Sequence, residues 1–178
     1  MLIAMAGLPG AGKSTVGQAL ARRLAAPVVS VDPIEAAMRR AGVAADQPTG
    51  LAAYVVAEAV ADGVLALGQH VVVDAVNAVE AARAQWRALA ARHGVPVAFL
   101  EVVCPDQDLH RARLAGRRRG IAGFPEPSWA AVQRLRAAYQ PWPAARPGEP
   151  EPLRLVLDST VEVEPNVSTA LAFLGVRS

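Results

Sequence analysis

Residues Gly7-Leu8-Pro9-Gly10-Ala11-Gly12-Lys13-Ser14, with Thr15 adjacent, satisfy the pattern G-x-x-x-x-G-K-[ST] at every fixed position. Such a run has the parts needed to hold a polyphosphate. Its glycines let a turn present amide N–H groups where a Cβ would obstruct an anion. A helix opening near Lys13 would add its positive dipole end. The Lys13 ammonium would serve the β- and γ-phosphates, and the Ser14 hydroxyl a magnesium ion. Lys13 is also the chain's one lysine, every other basic side chain among the 18 Lys and Arg being arginine. The ammonium is a compact point charge and the guanidinium a planar fork, so the chain departs from arginine where a compact cation is required. A ligand-free glycine-rich turn is the plainer alternative, and the flanking strand and helix argue against it.

Two acids and two arginines could complete phosphate chemistry. Asp74 closes the apolar run Val71-Val72-Val73, the form of an acid that holds magnesium directly or through water; its plain alternative is a cap for the next turn. Asp32 follows the second apolar run and could accept the proton of an attacking hydroxyl, or merely cap a helix starting at Pro33. Glu35 and Arg39 could face the same groove. Asn77 either reaches substrate or caps the helix that begins near Val79. Arg113 and Arg117, at i and i+4, share a helix face and could clamp nucleotide phosphates; a solvated basic face is the alternative. Arg111, Arg118 and Arg119 flank them. As a nucleic-acid patch this cluster lacks interleaved aromatics. His70, His93 and His110 have no metal-ligand spacing. Cys104 reads as a buried strand-end thiol and Trp86 as core. Trp129, Tyr139 and Trp142 read as packing for a lid or a border for adenine.

The elements that must position these groups alternate between short β-rich runs and longer helical stretches, the mark of a parallel sheet covered by helices. Strands are expected at 2–6, 28–31, 71–73, 95–103 and 153–157. Helices are expected at about 13–25, 34–40, 51–67, 79–93, from Pro105-Asp106 onward, 128–139 and 167–174. The fourth helix should bury Val79, Ala82, Trp86, Leu89 and Ala90. Residues 141–152 are proline-rich and read as a surface loop. The expectation is one α/β domain over 1–178, with a mobile, arginine-bearing lid insertion near 115–150.

A hydrophobic fraction of 53% and a charged fraction of 19% supply a core and argue against disorder. The net charge is +2 and no basic stripe stands out, so nucleic acid is argued against as a partner. One cysteine excludes an internal disulfide and suits a reducing, cytoplasmic setting. No uninterrupted apolar run approaches the ~18 residues of a membrane span, so no membrane association is expected.

These residues resemble the P-loop kinases grouped with polynucleotide 5′-kinase, zeta toxins and chloramphenicol phosphotransferase, and bacterial "AAA family ATPase" or "predicted kinase" proteins. The resemblance rests on 7–15, Ser30-Val31-Asp32, Val71-Val72-Val73-Asp74-Ala75-Val76-Asn77 and Arg113-x-x-x-Arg117. It implies a P-loop three-layer sandwich whose five-stranded parallel sheet has the order 2-3-1-4-5. It further implies ATP and Mg2+ as cofactors, Asp32 as general base, Asp74 as the magnesium-side acid, Arg113 and Arg117 as lid, and adenine between the lid and the loop after Asp158. Where polynucleotide kinases often show D-x-x-R, this chain has Asp32-Pro33-Ile34-Glu35, an acid expected to repel a phosphate-bearing substrate.

The expected activity is transfer of the γ-phosphate of ATP to a hydroxyl of a small molecule. The alternatives are a nucleotide-binding ATPase or regulatory protein without a second substrate, and a nucleic-acid 5′-kinase. A GTPase switch would need N-K-x-D, which a chain whose one lysine is Lys13 cannot contain. A full AAA+ machine would need a longer chain with a C-terminal helical domain. Tyr54 and Glu58 are candidate acceptor contacts. Composition and motifs leave the oligomeric state open.

Overall fold

The alternation of apolar runs and helical stretches folds, in the computed structural model, into five parallel strands and seven helices among residues 1–44, 46–118, 120–121, 124–142 and 153–176, which the structure describes. Arg119, Gly123 and nearly all of the proline-rich 141–152 segment lie outside the described residues. In chain order the elements are β1 (Leu2–Ala6), α1 (Lys13–Leu24), β2 (Val28–Ser30), α2 (Val31–Arg40), α3 (Thr49–Ala66) and β3 (Val71–Asp74). There follow α4 (Glu80–Arg92), β4 (Val97–Val103), α5 (Gln107–Gly116), α6 (Trp129–Ala137), β5 (Leu153–Asp158) and α7 (Val163–Phe173). The sheet order is β2-β3-β1-β4-β5, as expected, and every pairing is parallel.

β1 is wholly buried and β3 and β4 nearly so because both faces of the sheet are covered there, whereas the edge strand β5 is largely exposed and carries Arg154. Alternate residues divide between two cores. Leu2, Ala4, Val71, Val73 and Phe99 meet α3 and α4, whereas Ile3, Met5, Val72, Ala98, Leu100 and Val102 meet α1 and α7. On α1, Gly17 permits close approach to the sheet, since a Cβ there would lie 3.0 Å from Met5 Cγ. On α3, Ala53, Ala57 and Ala61 recur every fourth residue, and all three are fully buried. That helix is long and apolar enough, by length and composition alone, to cross a membrane. Its two acids pair with α4, Glu58 with Arg92 at 2.8 Å and Asp62 with His93 at 2.9 Å.

Several boundaries differ from expectation. The second strand stops at Ser30, and α2 begins at Val31 instead of Ile34. Asp32 therefore stands in the first helical turn, not at a strand end and not as a cap; the N-cap position belongs to Ser30. Pro33 is tolerated there because a first-turn N–H has no intrahelical acceptor. On α4 the buried face is Arg83, Trp86, Leu89 and Ala90, while Val79 caps the helix at 41% exposure. Reading for apolar spacing alone missed the arginine in that stripe. Asp106 caps α5, accepting from the Leu109 amide at 2.9 Å, and Ser128 caps α6, accepting from Ala131 at 3.2 Å.

Trp86 is completely buried, lies 6.2 Å from the Tyr54 ring and donates its indole N–H to Asn77 Oδ1 at 2.9 Å. Replacing it with Ala should lower the unfolding free energy by about 3–5 kcal/mol, through both the cavity and the unpaired amide oxygen. Urea unfolding followed by circular dichroism reads this, and a loss below about 1 kcal/mol would contradict the packing described.

Candidate functional site

The turn from β1 into α1 is shaped by three glycines with positive φ: Gly7 at 132°, Gly10 at 84° and Gly12 at 99°. At Gly7 the requirement is absolute, because a Cβ would stand 2.3 Å from the Val102 carbonyl oxygen. The Gly7 amide donates to the Val76 carbonyl at 3.1 Å, tying the turn to the loop after β3. At the start of α1, Gly12 occupies the N-cap position. No side chain caps this end and no acid stands in its first turn, so the helix dipole is left for an external anion. Lys13 is buried, at 4% exposure.

One support of this turn was not legible in the sequence. His110, on α5, is 1% exposed and its Nε2 lies 2.8 Å from the Pro9 carbonyl, while its Nδ1 lies 3.2 Å from Arg136 Nη2. A carbonyl only accepts and a guanidinium only donates, so Nε2 carries the hydrogen and the imidazole is neutral. Burial holds its pKa below the ordinary value; the Pro9 hydrogen bond opposes this, and the charges of Arg136 and Arg113 reinforce it. Trp129 packs edge-on against the ring at 5.3 Å. Through His110 and Arg136, α5 and α6 grip the glycine turn.

Beside the turn lies a cleft of about 780 Å³, bordered by Gly10, Gly12, Lys13, Ser14, Thr15, Ser30, Asp32, Asp74, Arg113 and Arg117, and by residues of the loop after β5 such as Ser159. Gly7, Leu8 and Ala11 instead border a second cavity of about 290 Å³ beneath α6, and Pro9 is engaged by His110. The cleft thus gathers, from five separate parts of the chain, Asp32, Asp74, Arg113 and Arg117 of the expected site, whereas Glu35 and Arg39 are not among the residues that border it. Parallel register sets the acids: Asp74 lies opposite Met5 on one side and Ser30 on the other. Asp74 Oδ1 is buried without a hydrogen-bond partner among the described residues. Arg113 Nη1 donates to both the carbonyl and the hydroxyl of Ser159 at 3.0 Å, so α5 is joined to the loop after β5. Arg117, just past the end of α5, faces Glu126 at 3.5 Å.

Three expectations for the acceptor side need correction. Asn77 neither reaches substrate nor caps a helix. It is fully buried at φ 52°, and its amide side chain is spent on Met5 and Trp86. Glu58 is spent on Arg92. Glu35 does not act as a bare negative charge, because Arg39 donates to it at 2.6 Å and Thr49 at 2.8 Å, with Arg39 placed 5.3 Å from the Phe124 ring. The repulsion expected of Glu35 toward a phosphate-bearing substrate is cancelled by that pairing. Tyr54 is not among the residues that border the cleft; its hydroxyl accepts from the Asn77 amide at 3.1 Å. Burial raises its pKa, the Asn77 amide donating to its hydroxyl opposes this, and the charges of Asp32 and Asp74 raise it further.

A sequence profile of the AAA domain family matches residues 2–142. The chain belongs to this AAA domain family. No curated protein sequence matches it. Among solved structures the AAA domain described here is similar to an unliganded sugar kinase from Janibacter sp. HTCC2649, with 17% identity, TM-score 0.71, and coverage of 98% of this chain and 94% of that one. It is similar to Chaetomium thermophilum Kti12 in complex with ADP-AlF3, at 20% identity, TM-score 0.75 and coverage of 98% and 97%. It is also similar to the Mycobacterium tuberculosis APS kinase CysC in complex with AMPPNP and APS, at 24% identity, TM-score 0.62 and coverage of 98% and 96%. These likenesses establish that the α/β sandwich is that of P-loop proteins.

The neutral, buried His110 makes stability depend on pH. Its folded pKa lies below the ordinary 6.5, so as pH falls through that value the unfolded chain takes up a proton that the folded chain refuses. Unfolding free energy should therefore fall between about pH 7 and 5. His110→Gln, which keeps a donor for Pro9 but cannot titrate there, should flatten that part of the profile. Thermal melts across this range provide the check, and parallel profiles for the two proteins would contradict the assignment.

Proposed function

We propose that this AAA domain protein is an ATP- and Mg2+-dependent phosphotransferase that moves the γ-phosphate of ATP to a hydroxyl of a small molecule. The carrying observation is the convergence in one cleft of the Lys13–Ser14 turn, one carboxylate from the end of β3 and one from the first turn of α2, and two lid arginines. A protein that only held nucleotide would have no use for the second carboxylate, Asp32, on the far side from Ser159. The sugar kinase and APS kinase named above, whose folds this chain shares, are consistent with that reading.

In the proposed reaction the amides of the glycine turn and the Lys13 ammonium hold the β- and γ-phosphates. The adenosine end lies toward the loop after β5, where Arg113 meets Ser159. Ser14 and Asp74 would hold magnesium, and the unpartnered buried Asp74 Oδ1 is the feature that fits a cation. Magnesium held there would supply positive charge against the charge that develops on the phosphate oxygens. Asp32 accepts the proton of the acceptor hydroxyl as its oxygen bonds to the γ-phosphorus, and the bond from that phosphorus to the β–γ bridging oxygen breaks, leaving ADP. Arg113 and Arg117 balance charge on the transferring group and, with the lid closed, exclude water. By sequence resemblance the nearest chemistry is that of the polynucleotide kinase, zeta toxin and chloramphenicol phosphotransferase group. A small acceptor is favoured because the chain carries a net charge of only +2 and no basic stripe for a polyanion.

Lys13→Ala should weaken ATP binding by about 1.5–3 kcal/mol or more, the loss of a charge-assisted contact. Calorimetric titration at matched salt checks this, and an unchanged affinity would count against the site. Asp32→Asn should bind ATP normally and lose at least about 100-fold in transfer, as removal of a general base does. The assay is ADP release across a library of hydroxyl compounds. Full activity in this variant would reduce Asp32 to a first-turn acid of α2.

A further inference from the structure

We propose that Arg83 is a positioning residue that clasps the lid's return segment to the loop after β3, so that the arginine-bearing lid and the acceptor end of the cleft move as one body. This rests on the reading of α5–α6 as a lid over bound nucleotide.

Arg83 is fully buried on the inner face of α4, in line with Trp86 and Ala90. Its four hydrogen bonds among the described residues all end on carbonyl oxygens, and they divide between two segments. Nε donates to Asn77 at 2.9 Å and Nη2 to Ala78 at 3.2 Å, both in the loop after β3. Nη2 also donates to Gln140 at 2.7 Å and Nη1 to Pro141 at 3.0 Å, where the chain leaves α6. The guanidinium centre stands 4.0 Å from the Trp142 ring and 5.3 Å from that of Tyr139. Gln140 closes the same seam from the other side: its amide donates to Ala78 at 2.8 Å, and its side chain accepts from the Glu80 amide at 2.6 Å.

A helix that needed only to pack would carry leucine at this position. Burying a cation costs several kcal/mol, which packing alone gives no reason to incur. A planar fork with five donors is suited to satisfying four carbonyls from two segments at once. Both ends of the clasp lead into the site. Behind Asn77 lie Met5, Tyr54 and the Val76 carbonyl that receives the Gly7 amide. Ahead of Gln140 lies α6, whose Arg136 meets His110 beneath Pro9. Arg83 touches neither nucleotide nor acceptor in this arrangement; it acts through the two segments it joins.

The test is hydrogen exchange of wild type and Arg83→Lys, with and without AMPPNP and magnesium. In wild type the analogue should protect amides at 7–15 and also at 129–142. In Arg83→Lys, which keeps the charge and loses the fork, the 7–15 protection should survive with a Kd within about threefold, while the nucleotide-dependent protection at 129–142 falls by about fivefold or more. Equal protection of 129–142 in both proteins overturns the proposal. So does a folded variant that has lost AMPPNP binding, since Arg83 would then serve the nucleotide site directly. If Arg83→Lys does not fold, Gln140→Ala, altered at an exposed side chain of the same seam, decides: reduced protection at 129–142 supports the clasp and unchanged protection overturns it. Failure of the wild type itself to bind AMPPNP is a separate result, one that rejects the nucleotide reading and the lid with it.

Discussion

One buried asparagine holds the working end of this fold together. Asn77 has no exposed surface and a left-handed backbone, and its polar groups reach three elements. Its side-chain amide donates to Met5 on β1 at 2.7 Å, and its side-chain oxygen accepts from Trp86 on α4 at 2.9 Å. Its backbone N–H donates to the Tyr54 hydroxyl of α3 at 3.1 Å, and its carbonyl accepts from Arg83. A buried polar group is expensive unless fully paired, and this one is paired on every side, so the loop after β3 has one satisfactory position. That position places the Val76 carbonyl where the Gly7 amide needs an acceptor. Asp74 follows from the same constraint, three residues upstream at the strand end.

Sheet order explains why the chemistry gathers here. With β1 at the centre, β3 on one side and β4 on the other, successive connections leave the sheet in opposite directions at the carboxyl end of β1, and a crevice opens between them. The glycine turn sits in that crevice. The acids come from the β2–β3 side and the lid arginines from beyond β4, so a ligand in the cleft is bracketed by negative groups on one side and positive groups on the other. Neither set could be assembled from neighbouring residues in sequence.

The sheet was readable from the sequence because its strands are short, mostly apolar and bounded by Gly, Pro or Asp, signals that survive without tertiary information. Lys13, Ser14, Asp32, Asp74, Arg113 and Arg117 were readable as candidates because motif spacing and strand ends mark them, and the structure places all six at one cleft. What escaped was long-range pairing. Nothing local marks Arg83 as buried, for its carbonyl partners lie nearly sixty residues away as well as close by. His110 looked idle without metal-ligand spacing, yet its partner is a backbone carbonyl 101 residues distant. Glu35 looked like a bare acid because its neutralising contacts, to Arg39 one turn on and Thr49 across α2–α3, depend on how two helices meet. Asp32 shifted from strand end to helix because Ser30 and Val31 are equally at home in either, and the turn into α2 decides.

The chain's choice between its two long cations now has a structural account. Two arginines use the fork as a fork: Arg83 spans four carbonyls through Nε, Nη1 and Nη2, and Arg154 places Nε and Nη2 on Glu101 Oε2 at 3.0 and 2.5 Å. Each is a planar group meeting fixed acceptors supplied by the protein, the task for which a guanidinium is preorganised. Lys13 is buried at the start of α1 beside the glycines of the turn, and in the proposed reading it meets the clustered oxygens of a phosphate instead of a planar carboxylate. At the same turn Gly10 and Gly12 hold positive φ, and a Cβ on either would lie 3.2 Å from Leu114 or Ser159. The glycines and the lysine thus meet two demands of the proposed phosphate reading: backbone amides clear of obstructing Cβ atoms, and a compact cation among oxygens.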